Sequence, residues 1–228
     1  MSAMQRVALV MIVSLGLTAV PASAQLVFLE AIDCGFYSSD GSHSPGSTNY
    51  VAGDTAAAGV AEKRNFFVFD LSGVSGTVAH AALQIYNPGD PPDPGNGFNS
   101  PDPSERYSVQ DVTTDIATLT AGGSGLVSVF GDLGDGTVFG FVDVDAAANG
   151  TSVLIPLNHN GGGAVNAAIG GQLAFGGAVT TLAGNPIQTV FAYSHGSMRQ
   201  RLILDLGGTV FWDDFETGSA GRWDEVAP

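Results

Sequence analysis

The chain has 228 residues, 22 of them acidic and 7 basic, for a formal net charge of −15. A surface this negative repels phosphate backbones and anionic headgroups, which excludes nucleic-acid binding and leaves divalent cations, neutral glycans and cationic proteins as fitting partners. The one cysteine, Cys34, cannot form an internal disulfide, and reads either as a small buried apolar residue or as a site for cross-chain pairing.

Residues 1–24 have the pattern of a secretory leader. Arg6 supplies the early positive charge, residues 7–17 are almost uninterruptedly apolar, and Pro21 breaks any helix. Ala22-Ser23-Ala24 then provides the small-x-small pattern that signal peptidase requires, which makes Gln25 the expected mature N-terminus. The apolar run is too short for a permanent membrane span, and no later stretch is long and apolar enough for a transmembrane helix. The expectation is export, extracellular or periplasmic, with no stable membrane insertion.

Residues 26–32 read as the first strand, and residues 38–59 as loop around a short strand near Tyr50 and Val51. Residues 65–71 (NFFVFDL) are apolar on both faces, Phe67, Phe69 and Leu71 on one and Phe66 and Val68 on the other. Such a strand belongs at the centre of a sheet, covered on each side. Residues 77–87 alternate in the manner of a half-buried strand, and form with 65–71 either a hairpin or a pair joined across two sheets. A long loop, 87–104, follows; its prolines and glycines forbid regular structure, and Asp90, Asp93 and Asp102 make it acidic.

Residues 105–112 return to strand, and 111–119 have room for one helical turn. In residues 137–144 the alternation predicts Val138, Val142 and Val144 inward, with Phe139, Phe141 and Asp143 outward. Asn149-Gly150 signals a turn leading into a return strand at 151–157. Residues 163–169 are the single helix candidate. Strands at 172–179, 189–193 and 200–206 complete a domain over residues 25–208, before an acidic, Trp-containing tail at 209–228. The fold class expected is all-β, a single jelly-roll-like β-sandwich of about nine or ten strands with at most one short helix.

The segments 64–88 (RNFFVFDLSGVSGTVAHAALQIYNP), 100–112, 132–140, 149–158 and 170–182 resemble the core of uncharacterised exported bacterial proteins related to DNRLRE-type domains. That resemblance covers most of residues 30–206. It implies a carbohydrate-binding-module-like β-sandwich of the kind attached to secreted glycan-active proteins, and it brings no catalytic residues with it. The stretch 210–223 (VFWDDFETGSAGRW) is similar to a C-terminal F-x-D-x-F-E-x-G tail of secreted bacterial proteins.

Motifs for G-x-S-x-G, H-E-x-x-H and P-loop chemistry are absent from the sequence. Ser194 and His195 are neighbours on a strand and point to opposite faces, so they do not pair as nucleophile and base. Two readings follow. The first is a non-catalytic module for surface or matrix interaction, taking an extracellular glycan or a cell-surface protein. Tyr86, Tyr107, Phe139 and Phe141 are its candidate stacking residues, and Ca²⁺ is a candidate stabilising ion on Asp132, Asp135, Asp143 and Asp145. Hard cations favour such carboxylates, and Asp143 and Asp145 at i,i+2 lie about 7 Å apart on one strand face. The second is a small polysaccharide-active enzyme, a glycoside hydrolase or lyase, with acid–base groups drawn from Glu105, Asp143, Asp145 and His195.

Overall fold

A computed structural model describes residues 25–55, 62–89, 96–184, 187–191 and 200–207. The expected leader at 1–24, the centre of the acidic loop, His195 and the tail lie outside these residues.

Eleven strands and three α-helices occur among the described residues: β1 (Leu26–Glu30), β2 (Asp33–Ser38), β3 (Ala52–Asp54), β4 (Glu62–Asp70), β5 (His80–Asn87), β6 (Glu105–Asp111), α1 (Ile116–Ala121), α2 (Val127–Asp135), β7 (Val138–Val144), β8 (Thr151–Pro156), α3 (His159–Ala167), β9 (Gln172–Val179), β10 (Gln188–Val190) and β11 (Arg201–Asp205). They form two antiparallel sheets. One has four strands in the order β1-β11-β5-β8; the other has seven, along the path β10-β3-β4-β9-β6-β7 with β2 on the remaining side of β4.

β4 is central because both its faces are apolar. Its inward residues Phe67 and Phe69 join Tyr107, Val109 and Phe175 against Leu83, Ile85, Ile155, Leu202 and Leu204 of the four-stranded sheet, making the main core. Burying each of these side chains contributes about 1.5–3 kcal/mol. On the opposite face Phe66 and Val68 form a second core with Tyr37, Leu119, Val129, Phe130 and Leu133. Helices α1 and α2 therefore cover the outer face of the seven-stranded sheet.

This helical layer corrects the expectation of at most one short helix. Gly131 and Gly134 interrupt the segment, yet Leu126, Val129, Phe130 and Leu133 carry the i, i+3, i+4, i+7 spacing of an amphipathic helix. Packing onto Phe66 outweighs the low helical propensity of the two glycines. The sheet also makes room for α2, since a Cβ on Gly176 would lie 2.9 Å from Leu133 backbone atoms. Arg64 secures the contact by stacking 4.3 Å from the Phe130 ring centroid and donating to the Phe130 and Gly131 carbonyls.

Of two pairings left to the structure, the first takes one of the two forms expected and the second departs from expectation. β4 and β5 belong to different sheets and so form the cross-sandwich pair, not the hairpin. β8 does not return against β7 but pairs with β5. Asn149, read as a plain turn residue, instead uses its side-chain oxygen to accept from Asn87 Nδ2 and from the Phe98 backbone N–H. That oxygen anchors the far end of the long loop, where Asn99 bridges to Thr189 of β10.

Cys34 is fully buried on β2, its Sγ 3.4 Å from the Thr48 carbonyl. Burial, reinforced by the charge of Asp33, pushes the thiol up to about 12. At neutral pH almost no thiolate forms, so Cys34 is expected to resist a thiol-specific reagent in the folded protein and to react once denaturant is added. Prompt titration of the native thiol would contradict this placement.

Candidate functional site

The site begins with β6 and β7, paired so that Arg106 lies opposite Asp143 and Ser108 opposite Phe141. In β6 alternation sends Tyr107 and Val109 into the main core and turns Arg106 and Ser108 to the outer face. In β7 the alternation is broken by a bulge. Gly140 pairs with Val109 but Val138 pairs with Gln110, leaving Phe139 as the extra residue. The bulge turns Phe139 inward while Phe141 and Asp143 stay outward.

Phe141 is 56 % exposed at this edge of the sheet. The Arg106 guanidinium carbon sits 4.7 Å from the Phe141 ring centroid. The same guanidinium forks onto Asp143, Nε donating to Oδ1 at 2.8 Å and Nη2 to Oδ2 at 3.0 Å. Arg106 holds the Asp143 carboxyl below the usual carboxylate range, chiefly by hydrogen bonding, and is itself raised by the same bonds. The pair is open to solvent, so its main effect is orientation: it fixes the guanidinium over one face of the ring and leaves the opposite face flanked by charged hydrogen-bonding groups. Together, ring and ion pair present an exposed aromatic surface with a polar flank on the outer face of the sheet.

The other aromatic candidates lie elsewhere. Tyr107 is fully buried, donates at 2.7 Å to Asn65 Oδ1 and meets Phe191 edge-on at 4.8 Å. Phe139 is 3 % exposed and packs edge-on against Phe175 in the core. Neither offers a face to a ligand, which corrects both assignments; for Phe139 the bulge is the physical reason. Tyr86 is half-buried on β5, in the other sheet, and its carbonyl accepts from the Tyr50 hydroxyl.

Each described carboxylate singled out from the sequence, Asp135 apart, has a protein donor. Asp132 lies in α2 and accepts from the backbone N–H and the hydroxyl of both Thr113 and Thr114. Partial burial pushes its carboxyl up, but these bonds outweigh it and hold the group below its ordinary value. Asp145 caps the 3-10 turn Ala146–Ala148 by accepting from the Ala147 N–H. Asp135 is exposed at the end of α2. Among the described residues no three His, Cys, Asp or Glu side chains are grouped to hold a metal ion, so the proposed Ca²⁺ set is not assembled.

Glu105 is fully buried and belongs to a polar network that the sequence did not reveal. Its Oε1 accepts from Ser100 Oγ at 2.6 Å and from Gln188 Nε2 at 2.9 Å, while Oε2 accepts from Thr181 Oγ1. Gln188 Nε2 also donates to Asp102, and Gln188 Oε1 accepts from the Ala183 N–H. Glu105 is thus separated from Asp143, which sits on the outer face with Arg106. His195 lies outside the described residues. No sequence motif announces Arg106 or Gln188, because each acquires its role from a partner far along the chain.

No family model matches the chain, and no curated protein matches it.

Proposed function

We propose that this protein is an exported, non-catalytic binding module, built as a jelly-roll-like sandwich, whose Phe141 platform stacks against neutral sugar rings. The observation that carries the reading is the half-exposed Phe141 ring on the outer face of the sheet, one face held under the oriented Arg106–Asp143 pair. Sugar rings present C–H faces that stack on aromatics, and hydroxyls that suit a charged fork of donors and acceptors. The net charge of −15 disfavours anionic polysaccharides and directs the choice to neutral ones. The leader pattern and the resemblance to DNRLRE-type domains agree with an extracellular glycan partner.

The test is retention on a panel of insoluble neutral polysaccharides. Wild-type protein is expected to be held by at least one, and Phe141→Ala to weaken that retention about tenfold, on the order of 1.4 kcal/mol. Retention on none, or equal retention of Phe141→Ala, would overturn the reading.

A further inference from the structure

We infer that the open edge of β1 is a self-association surface, through which two copies of this chain pair antiparallel into one continuous eight-stranded sheet. β1 is an outermost strand of the four-stranded sheet, with β11 on one side and no strand on the other among the described residues. The Leu206 N–H donates to the Gln25 carbonyl and the Ala31 N–H donates to the Gln200 carbonyl, so odd-numbered residues of β1 face β11. Alternation then aims the backbone N–H and C=O groups of Leu26, Phe28 and Glu30 at the open side.

Unpaired edges of this kind are usually blunted by lysine, proline, a bulge or a covering element. β7 has its bulge, and β8 runs into Pro156. β1 is LVFLE, with neither device, and two of its outer-face side chains are bare: Leu26 is 44 % and Phe28 56 % exposed. Its one charge, Glu30, is already paired with Arg201, Nε to Oε1 at 2.6 Å. This edge thus escapes the repulsion that the acidic surface imposes elsewhere.

A second copy fits because an antiparallel edge is self-complementary under a two-fold axis. With the axis at Phe28, Phe28 faces its own copy as a hydrogen-bonded pair and Leu26 faces the other Glu30, each pair exchanging two backbone bonds. On the core side the same register sets Val27 against the other copy's Leu29. Both are only partly buried and pack at the margin of the main core, so pairing would join the two cores across the axis.

Sedimentation velocity of the exported chain, from low to high micromolar, tests this. The wild type is expected to approach twice the monomer mass. Phe28→Pro removes an N–H that points outward and leaves the β11 ladder whole, so it should raise the dimer dissociation constant at least about tenfold with unchanged far-UV circular dichroism. Phe28→Lys, which keeps the backbone donor but places a charge on the axis, should weaken association likewise. A wild type monomeric throughout, or a Phe28→Pro chain that dimerises as well as wild type, overturns the inference. So does dimerisation that appears only after residues 209–228 are deleted, which would make the tail the occupant of this edge.

Discussion

A Gly177→Ala chain is expected to lose about 4 kcal/mol of stability, a large part of what holds a domain of this size together. Gly177 lies on β9 between Asn65 of β4 and Val109 of β6. A Cβ there would run into the Tyr107 hydroxyl and the Asn65 side-chain oxygen. Neither can retreat. The Tyr107 ring is backed by Phe191, and Asn65 Nδ2 is tied at 2.7 Å to the Tyr50 carbonyl. The methyl group therefore adds overpacking, about 1–3 kcal/mol, to the loss of a buried hydrogen bond, about 1–3 kcal/mol. Urea unfolding would read this as a fall in midpoint. Tyr107→Phe costs stability alone, but in the Gly177→Ala background it frees space and should recover part of the loss, so the two changes are non-additive. A wild-type midpoint for Gly177→Ala would show that the contact yields.

The second large effect is expected for Glu105→Gln, a change that keeps shape and removes charge. The Ser100 and Thr181 hydroxyls can rotate to accept from the new amide. Gln188 cannot adapt so easily, because its Nε2 is a donor aimed at Oε1 and reversing the amide would sacrifice the bond from the Ala183 N–H. With its nitrogen in place of Oε2 the new amide leaves Gln188 its acceptor, but it then brings two N–H donors to a position where Thr181 Oγ1 is the partner. In either arrangement one buried donor is left unmatched, at a cost of about 1–3 kcal/mol. The damage should be local to the two segments that the network joins, around Ser100 and around Thr181. Thermal unfolding would report a lowered midpoint, and limited proteolysis new cleavage near residues 181–184. An unchanged midpoint would mean that Glu105 is not a fastening point.

Elements with a clear period were legible from the sequence. The two-faced apolarity of β4 predicts a strand covered on both sides, and the two cores meet on it. The alternation of residues 80–87 likewise gives β5. Legibility failed where tertiary contacts overrule local pattern. Helix α2 hides behind two glycines, and its apolar spacing becomes decisive only once Phe66 and Val68 supply a surface. The inserted residue in β7 has no local signature, yet it moves Phe139 to the other side of the sheet. Tyr107 was a reasonable platform by residue type, but β6 sends odd positions inward. Of the candidate site, Phe141 and Asp143 were visible in the sequence, whereas Arg106 acquires its meaning only from the β6–β7 register.

The order of the strands bears on when the domain can fold. Leu26 is partnered with Asp205, Asp54 with Gln188, and Asn65 with Gly177, so the ladders are nested and the outermost joins the two ends of the domain. Loop closure of such length must precede most of the reward from pairing, which makes for slow folding. A nascent chain that has yet to produce Arg201–Asp205 has no strand to place between β1 and β5, and its four-stranded sheet stays open. Under the export proposed above, this order would leave the four-stranded sheet open until the last strand has been made, the state that passage of an unfolded chain across a membrane calls for.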